Sequence, residues 1–150
     1  MLTPGSRVPD VVLTNQHGDT VDLASLRGRR VLIFFYPKAN TPGCTQQACG
    51  LRDVAGEVAG TVIVGISPDK PAAQKKFDDK FSLGFDLLSD AEHSVAQAFG
   101  VWQEKHLYGK RYMGIVRSAF LVDAGGIVEH VWYKISPADT PKRLLEAVGR

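Results

Sequence analysis

Apolar and polar positions alternate from Val11 to Leu23 around Gln16-His-Gly-Asp19, and this period of two predicts an N-terminal β-hairpin turning at the glycine. Arg30 to Tyr36 is a near-continuous apolar run, the pattern of a buried strand. After a loop punctuated by Pro and Gly, Thr45 to Val58 shows helical spacing, and Thr61–Ile66 reads as a second buried strand. Pro71 to Phe81 predicts a helix introduced by Ser67-Pro-Asp69, followed by a short strand near Phe85 to Leu88 and another helix after the candidate cap Asp90. Ser118–Val122 and Ile127–Tyr133, separated by Asp123-Ala-Gly-Gly126, form a second hairpin. Ser136-Pro137 and Thr140-Pro141 both offer starts for a final helix carrying Leu144, Leu145 and Val148. The stretch from Trp102 to Gly114, with its glycines and charges, reads as a long loop.

A βαβ unit followed by α and β elements and then ββα predicts an α/β protein. Crossovers cover the parallel strands of a mixed central β-sheet with helices on both faces, and the hairpin adds antiparallel strands. A thioredoxin-like fold satisfies that order, with residues 1–150 as a single domain and neither an internal repeat nor a low-complexity linker.

Composition narrows the function classes. With 18 basic and 16 acidic residues spread along the chain, no strong field points to nucleic acid or an anionic membrane. The longest apolar run is too short to span a bilayer, and Met1 to Asp10 carries no secretion pattern, so a cytoplasmic protein is expected. Two cysteines are too few for a disulfide framework, and their role has to be argued locally.

The informative segment runs from Phe35 to Cys49, where a buried strand ends, the chain turns through Pro37, Pro42 and Gly43, and a helix begins at the first cysteine, Cys44. Helix N-termini present unpaired N–H groups and a partial positive charge that stabilise a thiolate, which makes Cys44 a candidate nucleophile. Thr41, three residues earlier, is placed to turn its hydroxyl toward the sulfur or an oxygen substrate, and Pro37 removes a backbone donor and shapes the loop. Arg117, directly before the strand Ser118–Val122, is the expected cation, and the loop from Trp102 to Gly114 borders the same site. On one helix, residues five apart lie roughly 8.6 Å apart between Cα atoms, whereas a disulfide needs less than about 7 Å. Cys44 and Cys49 therefore bond only after local unwinding, which Gly50, a poor helix former, eases. Thiolate attack on a peroxide, sulfenic acid and condensation with Cys49 form the resulting sequence, with no metal or organic cofactor required.

These residues place the chain near a known group. It resembles a peroxiredoxin of the bacterioferritin comigratory protein, or peroxiredoxin Q, type through Pro37-x-x-x-Thr41-x-x-Cys44, Thr41-Pro-Gly-Cys-Thr45 and Ala48-Cys-Gly-Leu-Arg-Asp53. Phe99-Gly-Val-Trp102, Tyr112-Met-Gly-Ile115 and Arg117 to Asp123 extend the likeness nearly end to end. The resemblance implies that Cys44 is the peroxidatic cysteine, that Thr41 and Arg117 bind and polarise a hydroperoxide, and that Pro37 shields the site. It also implies reduction by thioredoxin or a similar dithiol protein, and a monomer. Members differ in where the resolving cysteine lies; here Cys49 is the one other cysteine. Gln47 departs from the glutamate of many relatives, and the missing carboxylate is expected to alter hydrogen bonding around the site.

Competing readings follow from the same residues. Cys49 on a helix is also able to pack as a small apolar side chain. A thiol–disulfide oxidoreductase on this fold would use Cys-x-x-Cys, where this chain has Thr41-Pro-Gly-Cys44, and a redox-responsive binding protein would use the same unwinding to expose apolar surface. The scattered His17, His93, His106 and His130 suggest no metal site, and Asp19 with Asp22, or Asp78 with Asp79, read as solvated surface.

Overall fold

The computed structural model describes residues 2–58 and 60–148. Its centre is strand β3 (Arg30–Phe35), fully apolar after Arg30, flanked by β4 (Thr61–Ser67) in parallel register and by β8 (Ser118–Val122) antiparallel. β5 (Asp86–Ser89) extends the parallel side, the hairpin β1 (Val12–Thr14) and β2 (Thr20–Asp22) closes that edge, and β9 (Val128–Trp132) closes the other, giving the order β2-β1-β5-β4-β3-β8-β9. The mixed sheet and N-terminal hairpin match the architecture expected from the sequence.

The period of two along β3 divides the core. Val31, Ile33 and Phe35 pack on one face with Val95, Ala96 and Phe99 of α3 (Ser94–Phe99), while Leu32 and Phe34 pack on the other, joined there by Tyr36. That second face is covered by α1 (Pro42–Val54), α2 (Pro71–Phe81) and α4 (Asp139–Val148), through Ala48, Leu51, Phe77 and Leu144. Gly65 in β4 is required here, because a Cβ would stand 2.8 Å from Cζ of Phe34 and 3.0 Å from Cε1 of Tyr36. Asp90 does cap α3, but from upstream: its carboxylate accepts from the N–H groups of Val95 and Ala96 at 3.2 and 2.8 Å.

Three local expectations are corrected. Trp102 to Gly114 is not a loop: β6 (Trp102–Leu107) and β7 (Lys110–Ile115) pair from Trp102↔Ile115 to Leu107↔Lys110 as a separate hairpin. Its turn residues Tyr108 and Gly109 both have positive φ, 51° and 75°, the backbone of a two-residue primed turn. Helix α1 begins at Pro42 rather than at Cys44, since proline at the first helical position forfeits no intrahelical bond. Asp78, half-buried, is more than solvated surface: it accepts Nε2 of Gln16 at 3.0 Å and the N–H of Gly84 at 3.2 Å, while Asp79 is exposed. No helix among the described residues is long and apolar enough to cross a membrane.

Candidate active site

The site forms at the carboxyl end of the parallel strands, where β3 hands the chain to α1. Tyr36 still bonds into the sheet through its N–H to the Ile66 carbonyl at 3.1 Å. Pro37, half-buried, opens the loop; Asn40 turns it with φ of 63°, and Thr41 is the extended N-cap of α1. The Thr41 hydroxyl donates to the Lys38 carbonyl at 2.8 Å, so its proton is committed to the loop and its lone pairs remain available. The Thr41 carbonyl accepts from the N–H of Thr45 at 2.8 Å and starts the helical ladder. Cys44 is consequently third in the helix, within the turn whose N–H groups lack intrahelical acceptors. The sequence order strand, Pro/Gly loop, helix is what delivers a cysteine to that position.

Register supplies the cation. β8 runs against β3 with Ser118 opposite Phe35, so the residue before Ser118 is carried to the same sheet end as the loop. Arg117 accordingly places Nη2 3.4 Å from Cys44 Sγ and donates through Nη1 to Oε1 of Gln47 at 2.7 Å. Gly43 makes this approach possible: a Cβ there would stand 3.1 Å from Arg117 Nη2 and 3.5 Å from Cγ of Pro137. Cys44 itself is 1% exposed, packed into the α1 face of the core.

Gln47, fully buried, takes part in two bonds at once. It accepts from Arg117 and donates Nε2 to Oγ1 of Thr140 at 3.0 Å, while the Thr140 hydroxyl donates to the Ser136 carbonyl at 3.0 Å. Because that hydroxyl proton is already used, Thr140 needs a donor, which an amide supplies and a carboxylate does not. The glutamine thus ties the arginine to α4. Cys49 lies one and a half turns further along α1, half-buried, and both thiols are free. The structure brings Cys44, Arg117 and the Thr41 loop together and leaves Cys49 apart.

Some neighbours of the site were not singled out from sequence. Lys105, on β6, shares with Arg117, Tyr112 and Lys134 a cleft of about 420 Å³ beside the site. Burial lowers its pKa first, and the neighbouring Arg117 lowers it further. Reading this segment as a hairpin would have brought Lys105 to notice. Another cleft, about 430 Å³ and lined by Gln16, His17, Arg29 and Asp86, lies where the parallel strands begin, remote from Cys44, so size alone does not locate the chemistry. Among the described residues no group of three or more His, Cys, Asp or Glu side chains is arranged to hold a metal ion.

A cysteine in the first turn of a helix, faced by an arginine at the strand ends of a thioredoxin-like sheet, defines a class of thiol-based redox proteins. Comparison narrows this class. The AhpC/TSA family matches residues 4–131, and the chain belongs to it as a peroxiredoxin of the Bcp, or peroxiredoxin Q, subfamily. It is 51% identical to peroxiredoxin Bcp of Escherichia coli over 133 residues, covering 87% of this chain and 85% of the relative. The solved structure of the bacterioferritin comigratory protein of Xanthomonas campestris superposes with a TM-score of 0.87 at 34% identity, covering 92% of this chain and 89% of that one. Peroxidoxin BcpB of Mycobacterium tuberculosis gives 0.87 at 36% identity, covering 99% and 97%. The protein is therefore a thiol peroxidase with two cysteines, an activity that implies a hydroperoxide substrate and a reductant.

Proposed function

We propose that Cys44 is the peroxidatic and Cys49 the resolving cysteine of a peroxidase acting on hydrogen peroxide and organic hydroperoxides, with residues 1–150 working as one domain. The observation that carries this reading is Arg117 Nη2 at 3.4 Å from Cys44 Sγ. The guanidinium and the unpaired N–H groups of the first turn favour a thiolate, and the same donors accept a peroxide oxygen brought up to it. Thr41, with its proton committed to Lys38, accepts the peroxide O–H and orients the O–O bond, while Pro37 shields one side of the loop.

The Cys44 thiolate attacks the terminal peroxide oxygen; the O–O bond breaks, the alkoxide leaves and takes a proton to become alcohol, or water from hydrogen peroxide, and Cys44 becomes a sulfenic acid. α1 then unwinds. The Cys49 sulfur attacks the sulfenic sulfur, water departs, and a disulfide forms that thioredoxin or a similar dithiol reduces by two electrons to two thiols. Both cysteines lie on one helix, so the bridge closes within one chain and a monomer suffices. A reducing compartment, the cytoplasm, provides such donors.

The test is peroxide consumption coupled to NADPH oxidation through thioredoxin and its reductase, for the wild type, Cys44→Ser and Cys49→Ser. The expected result is no reaction for Cys44→Ser, and for Cys49→Ser one equivalent of peroxide consumed without thioredoxin-supported turnover. Full turnover by Cys49→Ser would remove the resolving role, and activity in Cys44→Ser would remove the peroxidatic one.

A further inference from the structure

A second polar chain reaches the active-site loop from β4. Asp69 follows that strand, and its Oδ2 accepts the N–H of Ala39 at 2.6 Å and the Ser67 hydroxyl at 2.7 Å. Ser67 Oγ in turn accepts Nε2 of Gln74 at 2.9 Å, and Gln74 Oε1 accepts the Tyr36 hydroxyl at 2.6 Å. Tyr36, Ser67 and Gln74 are buried, and burial raises the Tyr36 pKa, which keeps the phenol a donor. One network thus fastens the end of β3 at Tyr36 and the middle of the loop at Ala39. From Ala39 the chain passes through the left-handed Asn40 and the Thr41–Lys38 bond straight into the first turn of α1. Short bonds to a carboxylate are among the stronger contacts available to a backbone N–H.

We propose that Asp69 is a positioning residue of the peroxidase cycle: its hold on Ala39 keeps the loop and the first turn of α1 closed, and so sets how long oxidised Cys44 stays folded before Cys49 captures it. This rests on the Cys44–Cys49 reading. While the turn is closed, a second hydroperoxide meets the sulfenate, transfers its terminal oxygen to give a sulfinate, and leaves as alcohol or water. Once the turn unwinds, Cys49 displaces water from the sulfenic sulfur instead. The bond at Ala39 therefore biases a partition between over-oxidation and disulfide formation, without Asp69 touching any reacting atom.

The experiment compares the full-length chain with Asp69→Ala, Asp69→Asn and Asp69→Glu. Peroxide reaction at Cys44 is followed in a Cys49→Ser background, disulfide formation by quenched alkylation, and sulfinic acid by mass spectrometry as hydrogen peroxide is raised. Losing a charged acceptor shifts the closed-to-unwound ratio by about tenfold. Asp69→Ala is thus expected to slow the first reaction, speed disulfide formation by about tenfold, and raise the peroxide needed for sulfinic acid in proportion. Asp69→Asn, whose amide oxygen still accepts from Ala39 and Ser67 but without the carboxylate's charge, should fall between wild type and Asp69→Ala. Asp69→Glu, too long by a methylene to keep the same bond, should show the opposed pair of changes in smaller degree, which keeps the test open if the alanine variant does not fold. Amide exchange at Ala39 reports the hold directly and should accelerate in step with disulfide formation. Disulfide formation unchanged or slowed in both Asp69→Ala and Asp69→Glu while Ala39 exchanges faster overturns the proposal. A wild type that forms neither sulfenic acid nor disulfide instead defeats the cysteine assignments, so the two failures are distinct.

Discussion

Arg117 and Gln47 are joined by a 2.7 Å bond from Nη1 to Oε1, which leaves Nη2 of the same guanidinium turned to Cys44 Sγ at 3.4 Å. The fork geometry of arginine meets both demands at once; a lysine ammonium on a flexible stem meets one. Arg117→Met is expected to lower kcat/KM for hydrogen peroxide by about 10²–10³, the loss typical of removing one donor to a developing anion. Arg117→Lys should recover only part of it. Stopped-flow kinetics with the reduced protein checks both, and wild-type rates in Arg117→Met would show that the cation plays no part in the reaction.

Gly43 predicts a separable defect. Its φ does not demand glycine, but a Cβ would press on Arg117 Nη2 at 3.1 Å, within the tight range where the neighbour has to move. Gly43→Ala also gains about 1 kcal/mol of helix propensity in α1. The expected outcome is a melting temperature that holds or rises while peroxide reactivity drops about tenfold, as a small displacement of a positioned donor does. A fall in both would point to general damage to the helix.

Much of this arrangement was legible in the sequence because it follows from local pattern. The apolar run of β3, the proline start of α2 and the Ser118–Val122 strand fixed the sheet, and strand polarity then carried Arg117 toward Cys44. What escaped reading depends on partners distant in sequence or on patterns without an apolar face. β6 and β7 are mostly exposed, with Leu107, Tyr112 and Met113 open to solvent beside charged residues, so their apolar positions mark no buried face, and only Gly109 marked the turn. The bonds from Asp69 to Ala39, Gln16 to Asp78 and Gln47 to Thr140 cross 30, 62 and 93 positions, and nothing in local propensity encodes them.

Gly50 bears on the unwinding step. A Cβ there would lie 3.0 Å from Cγ of Pro141, so the glycine both weakens α1 and admits α4. Gly50→Ala combined with Pro141→Ala relieves the contact and leaves the propensity change, about 1 kcal/mol in favour of the helix. If unwinding gates resolution, disulfide formation should slow by roughly fivefold with the Cys44 peroxide reaction untouched. Quenched alkylation after a peroxide pulse measures it. An unchanged rate would mean that α1 opens elsewhere or that unwinding is not limiting.

The Tyr36 hydroxyl yields a prediction in pH. Burial raises its pKa well above the ordinary value of about 10, with the nearby Asp69 carboxylate adding to the rise. A raised folded-state pKa means that the unfolded chain releases this proton first as pH increases. The associated stability is therefore complete below about pH 10 and declines above it, at up to about 1.4 kcal/mol per pH unit. Tyr36→Phe removes that dependence but strands Gln74 Oε1, a buried acceptor, at about 1–3 kcal/mol. At neutral pH the variant should thus be the less stable protein, and urea titrations from pH 9 upward should show the gap narrowing as the wild type weakens. Parallel pH profiles for the two proteins would mean that Tyr36 ionises in the folded state as readily as in the unfolded chain, and that the network from Tyr36 to Asp69 does not hold the phenol proton.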